Sequence, residues 1–72
     1  FLIFARFDVI TINKNFNLNL PESDEYETIA GLVLHFLENI PEVNDIIELE
    51  EYKITIKEVD DRSVIKVHLL VR

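Results

Sequence analysis

The sequence predicts a small single-domain α+β fold of 72 residues, in which an antiparallel β-meander packs against one main helix. Three observations carry this reading. Between residues 28 and 41 the apolar side chains Ile29, Leu32, Val33, Phe36, Leu37 and Ile40 recur at three- and four-residue steps, which places them on one helical stripe that needs a partner surface. Beyond Pro41 the period changes: Tyr52, Ile54 and Ile56 alternate with Lys53, Thr55 and Lys57, and Ile65, Val67, Leu69 and Val71 alternate with Lys66, His68 and Leu70. Finally, a chain this short sits near the size where roughly 60% of the unfolded surface is buried, enough for one core and no more.

In chain order, the first segment is Phe1 to Phe7. It is apolar on both alternating faces and broken only by Arg6, so the spacing predicts a strand buried on both sides or covered by another chain. Asp8 to Leu20 reads two ways. Ile10, Ile12, Phe16, Leu18 and Leu20 alternate with Thr11 and with asparagines 13, 15, 17 and 19, a strand pattern, whereas Val9, Ile12 and Phe16 suit a short helix capped by Asp8. Asparagine favours neither state. Pro21 to Glu27 is an acidic connection. Thr28 then caps the main helix, with Asp24 and Glu27 as a competing start one turn earlier, and Pro41 is expected to end it. Gly31, His35, Glu38 and Asn39 fall on its outer face, while Ala30 and Leu34 widen the apolar arc beyond what one small sheet covers. Three strands follow: a short one through Ile46, Ile47 and Leu49, then two longer ones, joined by turns at Glu50-Glu51 and Asp60-Asp61-Arg62. Such a meander buries one face under a helix, and Lys53, Lys57 and Lys66 keep the other wet.

Composition excludes several function classes. A formal charge of −7, with seven Lys and Arg spread along the chain, argues against nucleic acid and against docking on anionic lipid. No cysteine is present, which removes disulfides and thiolate metal sites. No apolar run approaches the ~20 residues of a membrane span. The chain opens in mid-pattern without methionine, so it is expected to be a piece excised from a longer protein, with residues 1–72 as one domain.

The motifs Leu20-Pro21, Tyr26-Glu-Thr28-Ile-Ala-Gly31-Leu-Val-Leu, Ile40-Pro41, Asp45-Ile-Ile-Glu-Leu, Tyr52-Lys-Ile-Thr-Ile-Lys-Glu-Val59-Asp60 and Val64-Ile-Lys-Val67 resemble the transporter-associated domain of the CorC/HlyC family. The resemblance is strongest from Leu20 to Val67. It implies a helix over about Asp8 to Phe16, and with it the element order β-α-α-β-β-β. It further implies a C-terminal module that follows a membrane domain and a pair of CBS (cystathionine-beta-synthase-type) domains in magnesium and cobalt efflux proteins, at the cytoplasmic face of the bacterial inner membrane. Family members often carry Gly in the meander turns, where this chain has Asn44-Asp45, Glu50-Glu51 and Asp60-Asp61. The family has no agreed catalytic residues, so no active site carries over.

The candidate sites follow from residue type. Hard cations take oxygen ligands, so a regulatory divalent site is chemically sensible, and Glu58, Asp60 and Asp61 are its best single expectation, against solvated turn charges. His35 and His68 read as ordinary surface histidines. Ser23 and Ser63 sit beside carboxylates without a base, no glycine-rich phosphate loop exists, and Gly31 in a helix suggests close packing against a strand or another subunit. An enzyme is therefore not expected. The expected role is a regulatory and interaction module that self-associates or contacts the neighbouring CBS and membrane domains through Ala30, Leu34 and Phe4, without inserting into the membrane itself. The alternative is a ligand sensor, binding a divalent cation or, by fold analogy alone, an adenine or flavin nucleotide.

Overall fold

The computed structural model describes every residue except Arg62. The elements run β1 (Leu2–Phe4), α1 (Val9–Phe16), α2 (Ile29–Leu37), β2 (Ile46–Glu48), β3 (Tyr52–Val59) and β4 (Val64–Val71), in the expected order. The four strands form one antiparallel sheet in the spatial order β1-β4-β3-β2. The meander thus lies at one side of the sheet, and the first strand returns to pair with the last. Ile3 stands opposite Val67, Val67 opposite Ile56, Leu69 opposite Ile54, and Ile54 opposite Ile47, so one sheet face is an unbroken apolar floor. On it rest Val9 and Ile12 of α1 and Ile29, Leu32 and Val33 of α2, all buried.

The alternation in β4 holds only in its middle. Val67 and Leu69 are buried as expected and Val71, opposite Tyr52, is on their face but exposed, whereas Ile65 is off the core face and Val64 is buried in its place. The register explains it: Ile56 pairs with Val67, Glu58 with Lys66 and Val59 with Val64, so Lys57 and then Ile65 are each left over opposite a bond pair. Val71 lies at the strand end. The turn at Asp60-Asp61-Arg62 includes the residue outside the described ones. Its described part is closed by the Asp60 amide donating to the Ser63 carbonyl at 2.9 Å and the Ser63 amide donating to Asp60 Oδ1 at 2.8 Å.

Residues 9–16 are helical despite the strand-like asparagine alternation. Asn13 decides this. Its side chain is buried, where its Oδ1 accepts from the Leu20 amide and its Nδ2 donates to the Leu20 carbonyl and to Glu22 Oε2, each at 2.9 Å. That amide group does for Leu20 what a neighbouring strand would do, and it holds residues 18–22 against α1. Asn17 ends the helix in the left-handed region at φ 55°, which asparagine tolerates better than most residues. Asp8 makes no side-chain cap; the Val9 amide donates instead to the Glu27 carbonyl at 2.8 Å.

The main helix starts as expected, with Thr28 Oγ1 accepting from the Gly31 amide at 3.1 Å. It stops earlier than expected. Glu38 turns left-handed at φ 64° directly after Leu37, so Pro41 comes three residues after the stop and is not its cause. Consequently Ile40 lies outside the stripe and is 84% exposed, and Phe36 in the last turn is exposed with its ring edge-on to His35. Gly31 does pack closely, against Tyr26 of the acidic connection and not against a strand: a Cβ there would meet Tyr26 Cβ at 2.9 Å.

Two stability predictions follow from these contacts. Asn13→Leu keeps the branched shape but strands both polar groups of Leu20, and is expected to lower unfolding free energy by about 1–3 kcal/mol in a denaturant titration, with loss of hydrogen-exchange protection at the Leu20 amide. Gly31→Ala is expected to destabilise the chain in thermal melts, because overpacking of about 1–3 kcal/mol outweighs the helix-propensity gain of up to about 1 kcal/mol.

Candidate functional site

The end of β1, the first turn of α2 and the start of β4 meet at one place. The Ala30 amide donates to the Ala5 carbonyl and the Ala5 amide to the Ile65 carbonyl, both at 2.9 Å, which fixes these three segments side by side. Because side chains alternate along a strand, Ile3 and Ala5 then enter the core and Phe4 faces outward. The result is a groove of about 470 Å³, with Phe4, Ala30, Val64 and Ile65 as apolar lining and Arg6, Thr28, Asp60 and Ser63 as polar lining. Phe4 is 45% exposed, and its ring carries two cations, the Arg6 guanidinium and the Lys66 ammonium, each 5.2 Å from its centre. Arg6 also lies 5.3 Å from the Phe7 ring. Among the described residues, Arg6 has no carboxylate within ion-pair distance. Leu34, one helical turn beyond Ala30, is 39% exposed.

Of the residues singled out in the sequence, Phe4 and Ala30 are therefore brought into one groove, with Asp60 on its rim and Leu34 next along the helix. Glu58, Asp60 and Asp61 are not gathered. The Glu58 carboxylate pairs with Lys66 at 3.4 Å, Asp60 serves the hairpin turn, and Asp61 is exposed beside it. Among the described residues, no group of three or more His, Asp or Glu is placed to hold a metal ion. The histidines are apart: His35 pairs with Glu25 at 3.3 Å on the helix layer, while His68 stands between Leu2 and Thr55 on the open face of the sheet. Arg6 was visible in the sequence only as the one break in an apolar run.

A second groove, of about 400 Å³, opens where Asp8 and Val9 face Glu22, Asp24, Tyr26 and Glu27. Its lining is acidic. The Tyr26 hydroxyl donates to the Pro21 carbonyl at 2.5 Å, and burial, followed by the negative charge of Glu25, pushes its phenol above the usual value. Among the described residues no helix is long and apolar enough to cross a membrane.

Comparison with known proteins gives these features a context. The CorC_HlyC family model, described as a transporter associated domain, matches residues 1–72. The chain is similar to the UPF0053 inner membrane protein YfjD of Escherichia coli (strain K12), with 40% identity over 57 residues that make up 79% of this chain and 13% of that protein. It is also similar to the magnesium and cobalt efflux protein CorC of Buchnera aphidicola subsp. Acyrthosiphon pisum (strain APS), with 31% identity over 71 residues, 99% of this chain and 24% of that protein. The chain thus spans a quarter or less of the curated relatives it matches. Among solved structures, a functionally unknown conserved protein from Haemophilus influenzae Rd KW20 shares its fold with a TM-score of 0.88 at 31% identity, over 99% of this chain and 86% of that one. The CorC_HlyC domain of a Xylella fastidiosa Temecula1 hemolysin, solved in complex with magnesium and manganese ions, matches with a TM-score of 0.81 at 20% identity, over 99% and 85% of the two chains.

The raised phenol of Tyr26 has a signed consequence. A group whose folded pKa lies above its ordinary value of 10.0 gives stability that is complete below that pH and is lost as pH rises through the folded value. The stability advantage of the native chain over Tyr26→Phe is therefore expected to be constant through neutral pH and to shrink above about pH 10, as read by denaturant titrations of both proteins at neutral pH and near pH 11.

Proposed function

The chain belongs to the CorC_HlyC family of transporter-associated domains, and we propose that it is a non-catalytic regulatory and interaction module of a membrane-bound magnesium and cobalt efflux protein. It would sit at the cytoplasmic face of the inner membrane and contact the other domains of its own chain, or a second copy of itself, through the surface around Phe4, Ala30 and Leu34. One observation carries this reading: apolar side chains stand exposed together around a groove in whose described lining no nucleophile is paired with a base. Regulation then requires that this surface make different contacts in the two transport states, since a partner with equal affinity for both shifts neither.

A second reading, a divalent-cation sensor using Glu58, Asp60 and Asp61, is favoured by the magnesium- and manganese-bound state of the Xylella domain. Against it stands the engagement of Glu58 by Lys66, which a cation would have to displace.

In the intact efflux protein, Leu34→Asp is expected to alter magnesium or cobalt efflux or its regulation, while the excised domain loses about 1–2 kcal/mol of stability, because a partly covered leucine is lost and a negative charge enters the last turn of α2. Unchanged transport with an intact fold would count against the interaction reading. An amide-resolved magnesium titration separates the second: saturating shifts confined to residues 58–61 and lost in Asp60→Asn with Asp61→Asn support a sensor, and weak linear shifts spread over all acidic residues support ionic screening.

A further inference from the structure

We propose that the free edge of β1 takes up an extended peptide segment as a fifth strand, and that a carboxylate on this segment pairs with Arg6. This rests on the interaction reading above and names the chemistry of the partner. Hydrogen bonding fixes the form of the occupant. At one end of the β1–β4 ladder the Leu69 amide donates to the Phe1 carbonyl at 2.8 Å, and at the other the Ala5 amide donates to the Ile65 carbonyl at 2.9 Å. Bonded and unbonded pairs alternate along an antiparallel ladder, so Leu2 and Phe4, opposite His68 and Lys66, turn their peptide groups away from β4. No strand lies beyond β1 in the sheet. The Leu2 amide and carbonyl and the Phe4 amide therefore point off the edge, where nothing among the described residues bonds them, while the Phe4 carbonyl accepts from the Phe7 amide at 3.4 Å. Such groups on alternate residues are what an added strand would bond. The opposite edge is different: Glu48 lies within β2, and Asp45, Glu50 and Glu51 flank it, charges of the kind that keep an edge from pairing. Residues 1–5 carry no charged side chain.

Arg6 fixes the charge of the occupant. Its guanidinium is held 5.2 Å from the centre of the Phe4 ring and 5.3 Å from that of Phe7, at the end of the open edge. Among the described residues no carboxylate of its own chain lies within ion-pair distance, so its fork of donors is left for a carboxylate from outside. Lys66 adds nothing here, because Glu58 already pairs with it. Beside the edge, Leu2 and Phe4 are 58% and 45% exposed. Side chains alternate along the added strand as well, so the residues next to Leu2 and Phe4 are apolar and the one two positions past Phe4 carries the carboxylate. Read from its N-terminus, an antiparallel segment of this kind runs acid-x-apolar-x-apolar.

The test is an amide-resolved NMR titration of the chain with a blocked hexapeptide, glutamate followed by threonine-valine-threonine-valine-threonine, and with its lysine-first counterpart. The glutamate peptide is expected to give saturating shifts at the Leu2 and Phe4 amides and to slow their hydrogen exchange. The lysine peptide on wild type, and the glutamate peptide on Arg6→Glu, are each expected to bind at least about tenfold more weakly. Arg6→Glu with the lysine peptide is expected to recover to within about threefold, which also shows that this variant folds. Leu2→Pro removes the outward amide and leaves the ladder to β4 intact, so saturation is expected to vanish while the spectrum stays that of a folded chain. If Leu2→Pro unfolds, the charge swap at Arg6 decides alone. Four results overturn the proposal: no saturation up to about 5 mM peptide, shifts gathered at Ala30 and Leu34 in place of β1, binding indifferent to the charge swap, or shifts at Leu2 and Phe4 that follow protein concentration without peptide and so assign the edge to a second copy. None of these removes the interaction reading, whose own test is transport by the Leu34→Asp protein.

Discussion

Every helix begins with amide groups that the helix itself cannot satisfy, and the way this chain satisfies them fixes nearly everything else. Asp8 and Thr28, the residues just before α1 and α2, form an antiparallel bridge. Through it the Val9 amide reaches the Glu27 carbonyl and the Ile29 amide reaches the Phe7 carbonyl, at 2.8 and 2.9 Å. The two helices therefore start at the same point and lie over the same sheet face. The next amide, that of Ala30, goes to Ala5, which is wholly buried and continues the sheet by bonding to Ile65. A larger side chain at Ala5 would have to be accommodated where helix, strand and bridge converge. The same convergence makes the groove that Phe4 and Ala30 line.

The acidic connection from Asn17 to Glu27 would be a loose loop if local propensity alone governed it. It is held at four places. Asn13 brackets Leu20, the Tyr52 hydroxyl accepts from the Asn19 amide at 2.7 Å, the Tyr26 hydroxyl donates to Pro21, and Ser23 bridges to Tyr26. These polar anchors act beside two apolar ones, since Leu20 and Tyr26 are buried in the core and Leu18 packs against it. Among the described residues no buried side-chain nitrogen or oxygen lacks a partner.

What the core leaves out bears on function. Half of a 72-residue chain is apolar, yet sixteen apolar residues fill the core and thirteen large ones stand exposed. A small domain has too much surface to hide them all, but their grouping is not random. Leu2, Phe4, Ile46 and Leu70 lie on the open sheet face, with Phe4 continuing into the groove toward Ala30 and Leu34. Cations flank this surface, whereas the acidic groove at the start of α1 has no apolar floor of comparable extent. The curated relatives are at least four times longer than this chain, and the proposed role assigns the cover of this surface to such neighbouring segments or to a second copy.

Local periodicity and capping chemistry suffice for the α+β class, the Thr28 start of the main helix, the three meander strands and the two-sided apolar character of the first segment. The sequence also displayed Arg6 as the odd residue in that segment, though not what Arg6 would face. The remaining features depend on long-range contacts. The asparagine alternation reads as a strand, and residues 9–16 are a helix because Asn13 finds the distant backbone of Leu20 and Val9 finds Glu27. The main helix ends at Leu37 and not at Pro41 because Glu38 takes the left-handed conformation, and Ile65 leaves the core face because the register slips beside Lys57. Period reports which side chains want burial, but acceptors for buried polar groups come from segments far along the chain, and those exist only once the chain has closed on itself.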